Sequence, residues 1–138
     1  MRIGPCTMPR ILQITGPLML RSQLKSKIHR AVVTGADIQY EGSITIPADL
    51  MREADLWPGE KVLVASITSG NRLETYVQPG PEGSGIITIN GGAAHRVKTG
   101  DRITVMAWGL SETPIQPIKL LCDEHNHIIK KSYSADPI

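Results

Sequence analysis

Glycine and proline break this chain into short segments along most of its length. The 138 residues include 13 Gly and 10 Pro, while Phe is absent. Between them lie short runs rich in Val, Ile and Thr, a pattern typical of β-barrels and β-sandwiches. A mainly β fold with short helices is predicted, with one helix at Ala48–Asp55. The predicted strands are Lys27–Thr34, Ser43–Ile46, Lys61–Ile67, Leu73–Val77, Ile86–Asn90, Arg102–Trp108, Ile118–Cys122 and His127–Lys131.

Two stretches of the sequence resemble one another. Ala54–Val64 and His95–Val105 each run through a glycine, an acidic residue and a basic residue into alternating apolar positions. Gly59 and Gly100 occupy the same place in the two stretches. The repeat predicts a barrel built from two similar helix-turn-strand units with pseudo-twofold symmetry. The alternative is that a glycine followed by an acid and a base is a common turn into a strand.

The composition argues against several classes of function. The formal net charge of +2 is too small to indicate binding to nucleic acid or acidic lipid. No apolar run approaches the roughly 20 residues that a helix needs to cross a bilayer. Cys6 and Cys122 are far apart and lack a metal-type spacing, so a reducing, cytoplasmic location is predicted. His125 and His127 have no third ligand beside them, so no metal site is expected.

The first 18 residues differ from the rest of the chain. Proline and glycine interrupt their apolar residues, so a secretory signal is not expected. Two alternatives are predicted for residues 1–18. Either this segment is a disordered extension, or the translation start has been assigned too early and Met19 is the true first residue. Residues 19–138 are then expected to form a single β-barrel domain.

Gly42 and Ser43 stand at the entrance to a predicted strand. A glycine before a serine is usually only a turn. The functional alternative is self-processing, because Gly42 has no side chain and its carbonyl can be approached closely. The Ser43 hydroxyl could then attack that carbonyl, and an N-to-O acyl shift would give an ester. Elimination and loss of ammonia would leave a pyruvoyl group at a new N-terminus.

Several blocks, in order along the chain, resemble the family of pyruvoyl-dependent aspartate decarboxylases. The resemblance runs from about Met19 to Trp108 and loosely onward to the C-terminus. Three blocks in the same order are far more specific than any one of them. The blocks are Lys27–Arg30, Val33–Asp37 and Tyr40–Ser43, then Asn71–Tyr76, then Ile89–His95, with Gly100–Ile103 after them.

The resemblance implies a double-psi β-barrel that is made as an inactive precursor and cleaves itself between Gly42 and Ser43. It further implies a homotetramer with sites between subunits. The implied activity is that of a carboxy-lyase, which converts L-aspartate to β-alanine and CO2 for pantothenate synthesis.

The resemblance also assigns roles in turnover. Ser43 would become the covalent pyruvoyl cofactor, which forms a Schiff base with the amine of aspartate and accepts electrons as CO2 leaves. Tyr76 would donate the proton that replaces the carboxylate. Arg72 and Lys27 would bind the carboxylates of aspartate.

Further roles concern processing and the backbone. Thr75 and Asn90 would donate hydrogen bonds to the oxyanion formed when Ser43 attacks Gly42, and Thr75 would also contact the substrate. The backbone N–H groups of three small residues would face the substrate. These three residues are Gly91, Gly92 and Ala93.

A second interpretation comes from another class of protein. Ser43–Leu50, followed by Gly59–Val62, is also similar to the swapped-hairpin transition regulators and antitoxins, which are dimeric β proteins that bind DNA. The small net charge argues against it, and it accounts for neither Tyr40–Gly42 nor the block at residues 90–92. No nucleic-acid or membrane partner is therefore expected.

Overall fold

The computed structural model describes residues 16–138, so most of the predicted N-terminal extension lies outside the described residues. An α-helix, α1, spans Ala48–Glu53, and a 3₁₀ helix spans Gly91–His95. No helix in the described part is long and apolar enough to span a membrane. The strands are β1 (Arg21–Val32), β2 (Gly35–Asp37), β3 (Ser43–Pro47), β4 (Lys61–Ser66), β5 (Arg72–Gly80), β6 (Thr88–Asn90), β7 (Arg102–Ser111), β8 (Ile118–Cys122) and β9 (Ile128–Ser132).

The strands join in one sheet with many crossovers. Their order is β2-β6-β3-β5-β4-β7-β1-β8-β9, nine strands in all. The pairs β3–β5, β1–β8 and β2–β6 are parallel, and the other pairs are antiparallel. This mixed topology is consistent with a double-psi β-barrel. The prediction of a mainly β fold with short helices is confirmed.

The internal repeat seen in the sequence has a structural counterpart. Gly59 and Gly100 both adopt the left-handed conformation, with φ of +84° and +92°, just before β4 and β7. β4 and β7 pair antiparallel, with Val64 opposite Val105. These two valines hold the same position in the two repeats, as a twofold axis between the strands requires. The pairing supports the symmetric arrangement over a chance similarity of turns.

Side-chain alternation along β3 determines which residues face the core. Ile44 and Ile46 are fully buried among other aliphatic side chains, and Val77 of the neighbouring strand β5 joins them. Because successive side chains in a strand point to opposite faces, Ser43 and Thr45 lie on the other face of β3. The polar residues of the candidate site are therefore kept out of the aliphatic core.

Some boundaries differ from the sequence prediction. β1 begins at Arg21 rather than Lys27, because its polar first residues pair with β7 as far as Ser111. α1 ends at Glu53 rather than Asp55, because Asp55 adopts φ +55°, which no α-helix allows. The short strand β2 was not predicted, since a three-residue strand has too little sequence to show alternation.

Asn126 ties three parts of the chain together. It is 3% exposed and adopts φ +62°, which asparagine tolerates better than most residues. Its side-chain oxygen accepts a hydrogen bond from the Val32 N–H, and its amide donates to the carbonyls of Val32 and Gly85. The β8–β9 turn is thereby fixed to the end of β1.

Replacing Asn126 by alanine should lower the free energy of unfolding by about 2–3 kcal/mol. Three partly buried backbone groups would lose their partner, and alanine would have to hold a positive φ. Urea denaturation followed by circular dichroism measures the change. Glu124→Ala, an exposed neighbour in the same turn, is the control, and equal losses in the two variants would contradict the assignment.

Candidate active site

Ser43 and Asn90 face each other at the ends of two paired strands. The antiparallel register of β3 and β6 sets Ser43 directly opposite Asn90. Ser43 is fully buried and Asn90 is 4% exposed. The Asn90 amide donates a hydrogen bond of 2.9 Å to the Ser43 hydroxyl oxygen. The side chain of Ser43 is therefore held in one orientation in a site from which bulk water is excluded.

Asn90 uses its amide for this contact rather than for capping. It occupies the N-cap position of the 3₁₀ helix with extended backbone angles, yet its side chain makes no capping hydrogen bond. The amide also donates to the Thr45 hydroxyl oxygen at 3.0 Å. Asparagine is common at helix caps and turns, so its sequence position alone does not reveal this second role.

Gly91 lies directly against the residue that precedes Ser43. A Cβ atom on Gly91 would stand 2.8 Å from the Gly42 Cα and 3.0 Å from the Tyr40 carbonyl oxygen. Gly91 also adopts φ +70°, a conformation that side chains disfavour. Only glycine at position 91 allows the segment before Ser43 to pack this closely on the start of the 3₁₀ helix.

Tyr76 is the neighbour of Ser43 on the other side of β3. The parallel register pairs Ile44 with Val77, so Ser43 and Tyr76, each one residue earlier, lie side by side. Tyr76 is half-buried, and its phenol oxygen accepts a long hydrogen bond of 3.5 Å from the Gln78 amide. The structure therefore brings Ser43, Asn90 and Tyr76 together on three adjacent strands.

The two predicted cationic residues lie elsewhere. Arg72 is exposed at the start of β5, four residues before Tyr76, a separation of about 13 Å along a strand. Lys27 lies on β1, which does not pair with β3, since β5, β4 and β7 stand between the two strands in the sheet order. Arg72 shares a strand face with Tyr76, four residues farther on, and Lys27 lies between the buried Ser26 and Ile28. Within residues 16–138, neither side chain makes a hydrogen bond to Ser43, Asn90 or Tyr76.

Three further residues, Thr75, Gly92 and Ala93, were predicted to belong to the site. Thr75 pairs with Val62 and faces the core, opposite to Ser43, and makes no side-chain hydrogen bond within residues 16–138. Gly92 is exposed, with open space where a Cβ would stand. Ala93 is half-buried against the core. Gly92 and Ala93 follow Gly91 in the 3₁₀ helix, where the first N–H groups have no intrahelical partner.

Other kinds of reactive group are poorly placed. Burial raises the pKa of the Cys122 thiol to about 11, so little thiolate is present at neutral pH. Burial, with the charges of Lys27 and Arg30, lowers the pKa of His29, whose ring contacts Thr104. No cluster of metal-ligating side chains occurs in the described part of the chain. Ser26 and Ser66 are also buried serines with hydrogen-bonded hydroxyl groups, but of these three only Ser43 follows a glycine.

Sequence reasoning did not identify Thr45 and Gln78 as members of this polar face. Thr45 follows Ser43 by two residues and Gln78 follows Tyr76 by two, so each shares a strand face with its partner. Polar residues alternating with buried aliphatic ones in β3 were the available signal. It points to these positions only after the register of the strands is known.

Comparison with known proteins identifies the family of this chain. Residues 19–129 match the protein family described as Aspartate decarboxylase. Aspartate 1-decarboxylase of Moorella thermoacetica is 49% identical over 123 residues, which cover 86% of this chain and 96% of that relative. The match includes Ser43, Asn90 and Tyr76 within its span. This chain belongs to the aspartate decarboxylase family.

Proposed function

We propose that this protein converts L-aspartate to β-alanine and CO2 with a pyruvoyl group made from Ser43, and that it works in the cytoplasm in pantothenate synthesis. The observation that carries the proposal is the buried Ser43 hydroxyl, fixed by Asn90 immediately after Gly42. Family membership supports the substrate and reaction. The cysteine content supports the cytoplasmic location.

Self-cleavage would begin at the Gly42–Ser43 peptide bond. The Ser43 oxygen bonds to the Gly42 carbonyl carbon, the C–N bond breaks, and the hydroxyl proton passes to the Ser43 nitrogen. A base then removes the Cα proton of residue 43 and the bond between Cβ and the ester oxygen breaks, so that Gly42 leaves as a carboxylate and dehydroalanine remains at position 43. Water replaces its nitrogen, ammonia departs, and a pyruvoyl group remains.

The surroundings of Ser43 support its proposed conversion to a pyruvoyl group. Ser43 is fully buried, so bulk water does not compete for the ester before elimination. Asn90 orients the attacking oxygen. Gly42 is exposed, so water can solvate the carboxylate that cleavage would create there.

Turnover would use the same three strands. The pyruvoyl carbonyl supplies an electron sink for the loss of CO2. Tyr76, beside position 43 on β5, delivers a proton from its phenol oxygen to the carbon that lost the carboxylate. The N–H groups of Gly91, Gly92 and Ala93 lie at the start of the 3₁₀ helix, next to Asn90, where they can bind a carboxylate oxygen. Thr75 contributes to processing and substrate binding only if its side chain leaves the core face.

Complete substrate binding requires a second copy of the chain. Aspartate carries two carboxylates, while within residues 16–138 neither Arg72 nor Lys27 makes a hydrogen bond to Ser43, Asn90 or Tyr76. Two of the surface cavities within residues 16–138 have volumes of about 270 and 240 Å³, and Ser43 lines neither of these two. We therefore propose a homotetramer in which cations from one subunit complete the site of its neighbour.

The DNA-binding alternative is not favoured. β3 pairs with β5 and β6, and β4 pairs with β5 and β7, so this segment is built into the larger sheet rather than forming a small separate module. The family match extends far beyond it, over residues 19–129.

Purified protein incubated with L-aspartate should form β-alanine and CO2 in equal amounts. Ser43→Ala should form neither, because alanine cannot give a pyruvoyl group. Chromatography of the amino acids and trapping of CO2 measure both products. Activity in Ser43→Ala close to that of the wild type would refute a role for Ser43.

Tyr76→Phe should still cleave itself but lose turnover by at least about 100-fold, the usual contribution of a proton donor. The phenyl ring preserves packing and removes only the hydroxyl group. Cleavage is followed by denaturing mass spectrometry and turnover by β-alanine release. Near-normal turnover in the cleaved variant would exclude Tyr76 as the donor.

Gly91→Ala should slow self-cleavage by at least about tenfold, because the new methyl group would displace Gly42 and its backbone would be strained. Gly35→Ala is the matched control, since its Cβ would meet only ordinary contacts. The fraction of cut chain against time measures the effect. Equal cleavage rates in the two variants would show that the close approach of Gly91 to Gly42 is unimportant.

A further inference from the structure

Asn90 has two amide hydrogens, and both are used inside the barrel wall. One hydrogen bond goes to the Ser43 hydroxyl oxygen at 2.9 Å and the other to the Thr45 hydroxyl oxygen at 3.0 Å. A primary amide donates two hydrogens in fixed directions in one plane. When two acceptors hold both hydrogens, rotation of the amide is restricted.

The strand register places these two acceptors where the amide can reach both. Asn90 lies directly opposite Ser43, and Thr45 is two residues farther along the same face of β3. A residue and its diagonal neighbour on an adjacent strand lie within reach of such a side chain. Asn90 is 4% exposed, so water is a poor substitute for either acceptor.

The side chain of Thr45 is itself fixed. Its methyl carbon would stand 2.9 Å from a Cβ on Gly80, so the methyl group rests against the bare backbone of the end of β5. Threonine has few χ1 rotamers because its Cβ is branched. With the methyl group against Gly80 and the hydroxyl group towards Asn90, Thr45 is held from two sides.

We propose that Thr45 is a positioning residue for self-cleavage: it holds the Asn90 amide in the orientation that fixes the Ser43 hydroxyl before attack on Gly42. The inference rests on the proposed function, since it concerns the step that makes the pyruvoyl group. Thr45 does not touch the reacting atoms and acts through Asn90. Gly80 supports Thr45 by leaving room for its methyl group.

Removing the Thr45 hydroxyl group would leave one buried Asn90 hydrogen without a partner. Such a hydrogen is costly in a buried site, and the amide would rotate or shift to recover an acceptor. The Ser43 oxygen would then lose its fixed donor for part of the time. The expected result is slower cleavage of a chain that still folds, because valine has nearly the shape of threonine.

The test compares Thr45→Val, Thr45→Ser and Thr88→Val with the wild type. Thr88 pairs with Thr45 on the same face but makes no side-chain hydrogen bond to Asn90, which makes Thr88→Val a matched control. Freshly purified precursor is incubated at fixed temperature, and denaturing mass spectrometry gives the fraction of cut chain. The thermal unfolding midpoint of each uncut protein is recorded in parallel.

Thr45→Val should cleave about tenfold more slowly than the wild type, the usual effect of one lost hydrogen bond in a buried network. Thr45→Ser should recover most of the rate, and Thr88→Val should match the wild type. If Thr45→Val fails to fold, Thr45→Ala provides the same loss of the hydroxyl group with less packing strain.

Cleavage of Thr45→Val at the wild-type rate, or equal slowing in Thr88→Val, would overturn the assignment of Thr45. So would slow cleavage in Thr45→Ser as severe as in Thr45→Val. In each of these outcomes the wild type still cleaves after Gly42, and the proposed function stands. A wild type that never cleaves would refute the proposed function itself and this inference with it.

Discussion

Alternation along β3 is the constraint on which the candidate site depends. Ile44 and Ile46 are drawn into the aliphatic core, and this forces Ser43 and Thr45 onto the opposite face. Because β3 lies between β5 and β6, that face brings Tyr76 to one side of Ser43 and Asn90 to the other. The burial of two isoleucines thus determines where the Ser43 hydroxyl, the Asn90 amide and the Tyr76 phenol meet.

A close backbone approach completes this arrangement. Gly91 packs so tightly on Gly42 that a methyl group at position 91 would overlap with it. The segment before Ser43 is thereby held against the 3₁₀ helix, while Ser43 itself is fixed through Asn90. The same short stretch, residues 90–91, therefore controls both the bond that is proposed to break and the atom that is proposed to attack it.

The sequence predicted the fold well, because the relevant signals are local. Glycine and proline spacing predicted short strands, and the repeat around Gly59 and Gly100 predicted two symmetric units, which the pairing of Val64 with Val105 supports. The polar beginning of β1 escaped prediction because only its pairing with β7 makes it a strand. Local composition carries no information on such a partner.

The candidate site was predictable only in part, for a related reason. Family resemblance pointed to Ser43, Tyr76 and Asn90, and the structure brings these three together. The resemblance did not reveal that Thr75 faces the core, because that orientation follows from the pairing of Thr75 with Val62. Thr45 went unnoticed because a threonine in a strand is ordinary until its hydrogen bond to Asn90 is seen.

The proposal that the chain is cut between Gly42 and Ser43 can be tested most directly by the denaturing intact mass of the purified wild-type protein. The account predicts two fragments, one ending at Gly42 and one that begins at position 43 with the mass of a pyruvoyl group in place of serine. A single chain of uncut mass, persisting after heating and after incubation with a cell extract, would contradict it.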